Sequence, residues 1–135
     1  MWVQFKYEEN KPLLNVQLVK GDETFDGLGL VDSGAEMTIA HTDIAKFLGI
    51  DELSCSRKPV GGIVGDNANG FVCEVDLYVK YLPDALTIPV LFVPNLRVSL
   101  LLGHNGFFDS YHIKFQRDSD IFEISRSPLK KYGKK

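Results

Sequence analysis

Asp32 is the first residue after the apolar run Leu28-Gly29-Leu30-Val31, and it is followed by Ser33, Gly34 and Ala35. A carboxylate at the end of a strand, in a turn opened by a glycine, can be held in one pose by backbone amides. Ser33 can donate or accept a hydrogen bond across the same turn. A carboxylate fixed in this way can take a proton from water or, when protonated, give one to a substrate oxygen. Taken alone, Asp-Ser-Gly is also a common surface turn, so its surroundings must decide between the two readings.

Other chemistries find little support. Ser33 lies in no Gly-x-Ser-x-Gly elbow. Gly27-Leu28-Gly29 has Asp32 where a dinucleotide loop needs its third glycine, and the glycines at 61, 62 and 65 are not followed by the Lys and Ser/Thr of a phosphate loop. His41, His104 and His112 are scattered, with no His-Glu-x-x-His or Cys-x-x-Cys run, so neither a metal nor another cofactor is expected.

The elements that must carry Asp32 read as short strands. Residues 14–19 alternate, with Leu14, Val16 and Leu18 on one face. Gly21-Asp22 marks a turn, and residues 24–31 return as the second strand of a hairpin that ends at Asp32. Residues 71–79 alternate again, with Phe71, Cys73, Val75, Leu77 and Val79 together. Residues 86–93 form an apolar run, and Pro83, Pro89 and Pro94 predict that it is an edge strand or is broken into pieces. Residues 112–116 and 121–124 flank a polar turn. The run 121–124 fits either an interface strand or the barrel core. Two short helices are expected, one capped by Thr42 and carrying Ile44, Ala45, Phe47 and Leu48, the other capped by Asn105 and carrying Phe107 and Phe108. Many strands with two small helices predict a compact β-barrel rather than a βαβ fold.

Three segments share a pattern. The run Gly29-Leu30-Val31-Asp32-Ser33-Gly34-Ala35-Glu36-Met37-Thr38 resembles the catalytic loop of the retropepsin-like aspartic proteases: a hydrophobic pair, Asp, Thr or Ser, Gly, Ala and an acid. Ser99-Leu100-Leu101-Leu102-Gly103-His104-Asn105 resembles the strand of two hydrophobics and a glycine that runs under that loop and enters a C-terminal helix. Val60-Gly61-Gly62-Ile63-Val64-Gly65 is similar to the glycine-rich tip of the family's flap hairpin. The order is right, and the elements span most of residues 14–124.

The resemblance implies an all-β fold with two short helices: a closed β-barrel of the acid-protease type, a single lobe active as a homodimer. The protease domain would cover residues 1–124, with residues 125–135 a flexible basic tail. Asp32, Ser33 and Gly34 would be the catalytic residues. Val31, Ala35, Glu36, Met37, Gly61, Gly62, Ile63, Val64 and Gly65 would lie along the substrate, with Gly34 backbone groups meeting its main chain. Leu101, Leu102, Gly103, His104 and Asn105 would support the loop from below. Many members carry Arg where His104 stands, paired with the acid at the position of Glu36. The match therefore implies a Glu36–His104 contact, against the plainer reading of His104 as a buried neutral donor.

This chemistry needs two carboxylates sharing a proton, because two like charges in contact do not both ionise easily. The chain holds one Asp-Ser-Gly, so a symmetric homodimer with Asp32 from each copy at the two-fold axis is implied. Ala35 offers no hydroxyl to the anion, which predicts activity reaching into mildly acidic pH. The substrate would be an extended or unfolded polypeptide. A noncatalytic dimerisation or peptide-binding module on the same fold is the alternative.

The bulk properties agree with this picture. A length of 135 residues suits one domain with a real core, and a net charge of −3 gives no field that would favour nucleic acid or an anionic membrane. Two cysteines, Cys55 and Cys73, do not make a disulfide framework. With no leader-like pattern in residues 1–7 and no long apolar run, a cytosolic protein is expected.

Overall fold

The alternation of Leu14, Val16 and Leu18 with polar residues becomes the inner face of a strand, and all three side chains are buried. The computed structural model describes residues 1–59, 69–129 and Tyr132. The elements run in the order β1 (Val3–Lys6), β2 (Leu13–Lys20), β3 (Glu23–Val31), β4 (Thr38–His41), α1 (Thr42–Phe47), β5 (Ser56–Pro59), β6 (Asn69–Val79), β7 (Leu86–Val93), β8 (Leu100–Leu102), β9 (Tyr111–Gln116) and β10 (Ile121–Arg126).

Six strands close a barrel in the order β2-β3-β8-β4-β7-β6, and β6 returns to β2 through Val16–Val79 to Val19–Asp76. The length of β6 makes the closure feasible. Its first residues, Asn69 to Val72, pair with β5, and Asp76 to Val79 pair with β2. Phe92, Phe107, Phe122, Leu18, Leu77, Ile88 and Leu100 are among the fully buried side chains of the core. Full burial of one such side chain stabilises the fold by about 1.5–3 kcal/mol.

Strand β7 differs from the sequence expectation. It is an unbroken interior strand between β4 and β6 despite Pro89. Its ladder with β4 begins at Val90, one residue past the proline, so the missing amide falls at the end of that ladder.

The helices also differ. Helix α1 forms, but its N-cap is His41, whose Nδ1 accepts from the Asp43 amide at 3.0 Å, rather than Thr42. The second expected helix does not form. Gly106 has φ +94, outside the right-handed helical region. The Phe108 and Asp109 amides reach back five residues, to the Gly103 and His104 carbonyls at 3.1 and 3.0 Å. The segment is a set of wide turns, pinned by the Ser110 hydroxyl donating to the Gly106 carbonyl.

A second, three-stranded sheet has the order β1-β10-β9. Strand β10 is therefore central. Phe122 and Ile124 are fully buried in the core, and both edges of β10 are already paired, which removes it as a free interface strand. The boundary expected at residue 124 also moves. Strand β10 continues to Arg126, Ser127 is buried with its amide on the Ser110 carbonyl at 2.8 Å, and the Tyr132 carbonyl accepts from the Thr87 amide at 3.0 Å. The expected loose tail is thus attached to the body at these points. Among the described residues no helix is long and apolar enough to cross a membrane.

Candidate active site

Strand β8 lies between β3 and β4, parallel to the first and antiparallel to the second. The segment 32–37, which joins β3 to β4, must therefore cross the C-terminal end of β8. The crossing is close. A Cβ on Gly103 would run into the Met37 carbonyl and come within 2.6 Å of the Ala35 carbonyl oxygen, so only glycine fits there. Across the gap the His104 amide donates to the Ala35 carbonyl and the Asn105 amide to the Glu36 carbonyl, both at 2.8 Å. Thr38, with no exposure, accepts from the Gly103 amide at 3.3 Å, and its hydroxyl lies 3.4 Å from the Asn105 carbonyl, to which it donates.

Asp32 sits at the head of this crossing, half-buried. Its amide donates to the Leu102 carbonyl at 3.0 Å, which continues the β3–β8 ladder into the loop. Its Oδ1 accepts the Gly34 amide at 2.8 Å, and the Ala35 amide donates to its carbonyl at 3.2 Å. The carboxylate is thus oriented by its own turn. Of the Gly34 backbone groups expected to meet substrate, the amide donates to the carboxylate.

His104 is exposed and does not pair with Glu36; the ion pair implied by the family pattern is not made, and neither is a buried donor. Its Nε2 lies 2.6 Å from the Ser33 carbonyl, and its ring stacks on Phe108 at 4.8 Å between centroids. A carbonyl oxygen only accepts, so Nε2 carries the hydrogen. His104 thereby holds the residue that follows Asp32.

Of the residues expected along the substrate, Val31 is 4% exposed and belongs to the barrel core, so its side chain faces inward and lines no open surface. Ala35 is buried, Glu36 exposed and Met37 half-buried, with its Sδ 3.5 Å from the Lys58 ammonium on β5. Gly61, Gly62, Ile63, Val64 and Gly65 lie outside the described residues. Leu101, Leu102, Gly103 and Asn105 all lie beneath or beside the loop, and Asn105 Oδ1 also accepts from the Tyr132 hydroxyl at 2.7 Å.

Sequence reasoning gave Thr38 and Lys58 no role. The signal for Thr38 was a lone hydroxyl inside the apolar run Thr-Ile-Ala; Lys58 carried none. A surface groove of about 480 Å³ is lined by residues such as Asn15, Asp26, Leu28 and Tyr78 and lies apart from Asp32. Among the described residues no three His, Cys, Asp or Glu side chains are grouped to hold a metal ion.

No family model and no curated protein matches the chain. Among solved structures it is similar to a retropepsin-like aspartic protease from Rickettsia conorii, with a TM-score of 0.68 and 12% identity, over 92% of this chain and 89% of that one. At that identity the likeness speaks for the fold. The closed barrel, the loop crossing over β8 and this structural likeness agree: the chain has the fold of the retropepsin-like aspartic proteases.

Proposed function

We propose that the chain is an aspartic endopeptidase that works as a symmetric homodimer, with Asp32 of each copy in one catalytic pair. The observation that carries this reading is the carboxylate at the end of β3, oriented by the Gly34 amide on a loop pinned from below by residues 102–105. One ionised carboxylate takes a proton from water as the water attacks the scissile carbonyl. The other, protonated, donates to the carbonyl oxygen. Each chain supplies one Asp-Ser-Gly, so the second carboxylate comes from a second copy.

The substrate is an extended segment of an unfolded polypeptide, bound through its main chain. In this reading Ser33, exposed beside Asp32, braces the pair, and His104 acts as a positioning residue through the Ser33 carbonyl. Because both edges of β10 are occupied within one chain, a second copy adds no strand to β10.

The test is digestion of denatured casein across a pH series by the wild type and by Asp32→Asn, with fragments read by mass spectrometry. Cleavage by the wild type and its loss in a folded Asp32→Asn protein are expected. Equal cleavage by the two, or a folded wild type inert at every pH, overturns the reading; the second result leaves a peptide-binding module.

A further inference from the structure

The two cysteines meet across the root of the β5–β6 hairpin. Ser56 is opposite Val72, so one step outward in the antiparallel ladder sets Cys55 opposite Cys73. Pro89 fixes the kind of pair this is. It stands across from Glu74 in the β6–β7 ladder. A proline has no amide to exchange, so Glu74–Pro89 is a non-hydrogen-bonded pair and the neighbouring Cys73–Val90 is a hydrogen-bonded one. The backbone amide and carbonyl of Cys73 therefore face β7. Toward β5 its position is of the non-hydrogen-bonded kind, in which Cα atoms approach to about 4.5 Å and side chains lie closest. A disulfide accepts Cα separations of about 4.4–6.8 Å.

Independent observations agree. The Cys55 amide is used by the Glu52 carbonyl at 3.1 Å rather than by Cys73. The backbone at Cys55 is extended (φ −106, ψ 162), so strand geometry continues through it. Both thiols are free, half-buried and packed on the same core cluster. Burial, and then the neighbouring Cys73, push the Cys55 thiol above its ordinary range, against a smaller opposite pull from Ser54 and Lys20.

We propose that Cys55 and Cys73 form a redox-active dithiol, a modification site that a small-molecule disulfide converts to an internal disulfide. One cysteine thiolate attacks the oxidant, whose S–S bond breaks; a mixed disulfide forms and one small thiol leaves. The second cysteine thiolate then attacks the protein sulfur of the mixed disulfide, the Cys55–Cys73 bond forms and the second small thiol leaves. Two electrons pass from protein to oxidant, and the two thiol protons end on the two departing thiolates. The bond ties the 51–55 turn to β6 where that strand leaves β5 for β2. A thiol of raised pKa is a poor leaving group, so the bond resists reduction by monothiols. The proposal stands apart from the reading of Asp32.

The experiment is incubation of the folded chain with glutathione disulfide, followed by intact mass, a non-reduced peptide map and a melting curve. Loss of two hydrogens, a peptide linking residues 55 and 73, and a rise in Tm on the order of 10 °C that dithiothreitol reverses are expected. Cys55→Ser and Cys73→Ser proteins abolish the linked peptide and the Tm shift. Two free thiols after prolonged exposure, stable glutathione adducts, or bonds between chains in place of the internal one overturn the proposal.

Discussion

Replacing Gly103 by alanine tests the crossing that holds Asp32. The added Cβ meets the Met37 and Ala35 carbonyl oxygens, which are backbone atoms, so no side-chain rotation relieves the overlap. The loop must lift off β8. That breaks or stretches the bonds from the His104 amide to Ala35, from the Asn105 amide to Glu36, and from the Gly103 amide to Thr38. Three hydrogen bonds at a net of about 1 kcal/mol each give about 3 kcal/mol, and leaving the buried Thr38 hydroxyl short of a partner adds about 1–2 kcal/mol. A loss of about 4–5 kcal/mol is a large part of the about 5–15 kcal/mol that holds a domain together. With an unfolding entropy of about 2.1 cal/mol/K per residue, Tm falls by about 14–18 °C. Urea unfolding followed by far-ultraviolet circular dichroism is the assay, because the one tryptophan, Trp2, lies near the chain end under the Lys114 ammonium and reports poorly on the barrel. A Gly103→Ala protein within about 1 kcal/mol of wild type would refute the reasoning.

Gly34→Ala is the contrast: its Cβ would lie 3.2 Å from Asp32 Oδ1 and meets nothing else within 4 Å among the described residues, so stability changes by less than about 1 kcal/mol while peptidase activity drops at least tenfold; equal activity would show that the carboxylate pose is not set there. His104→Ala removes the hold on the Ser33 carbonyl and costs about 1 kcal/mol in urea unfolding, with a larger fall in kcat than in substrate affinity, whereas a fall in stability alone would mark it as structural only. Burial first, and Asp84 after it, hold the Tyr111 phenol above its ordinary 10, against the Arg126 guanidinium over its ring. An unfolded tyrosine ionises at about 10, so the stability contributed by the neutral buried phenol is fully present below pH 10 and is lost as pH rises through the folded value. Melting curves from pH 8 to 11 therefore show an alkaline decline that Tyr111→Phe reduces, and an unchanged decline contradicts this.

Much of the barrel was written in local pattern. The hairpin 13–31 announces itself because inward apolar residues alternate with polar ones along its first arm and Gly21-Asp22 supplies the turn. Strand β6 is legible for the same reason. Strand β7 was misjudged because a proline forbids only one amide bond, and whether that amide was needed depends on where the ladder with β4 starts, a fact of three dimensions. The second helix was lost at Gly106, which takes a positive φ and lies so close to Ile88, distant in sequence, that an added Cβ would come within 2.9 Å of it. In the site, Asp32 and its turn were legible because the motif is contiguous. The role of Gly103 was visible only as a family position, since its reason is a backbone passing overhead from residues 35 and 37. The partner of His104 could not be foreseen, because a backbone carbonyl carries no sequence signal.

The claim that two copies of Asp32 make one catalytic centre can be tested by adding increasing Asp32→Asn protein to a fixed amount of wild type and measuring the rate of casein cleavage. A shared pair predicts that the rate falls toward zero as mixed dimers, each with a single carboxylate, replace active ones. A rate that stays constant however much variant is added would show that each chain cuts alone, and would contradict the account.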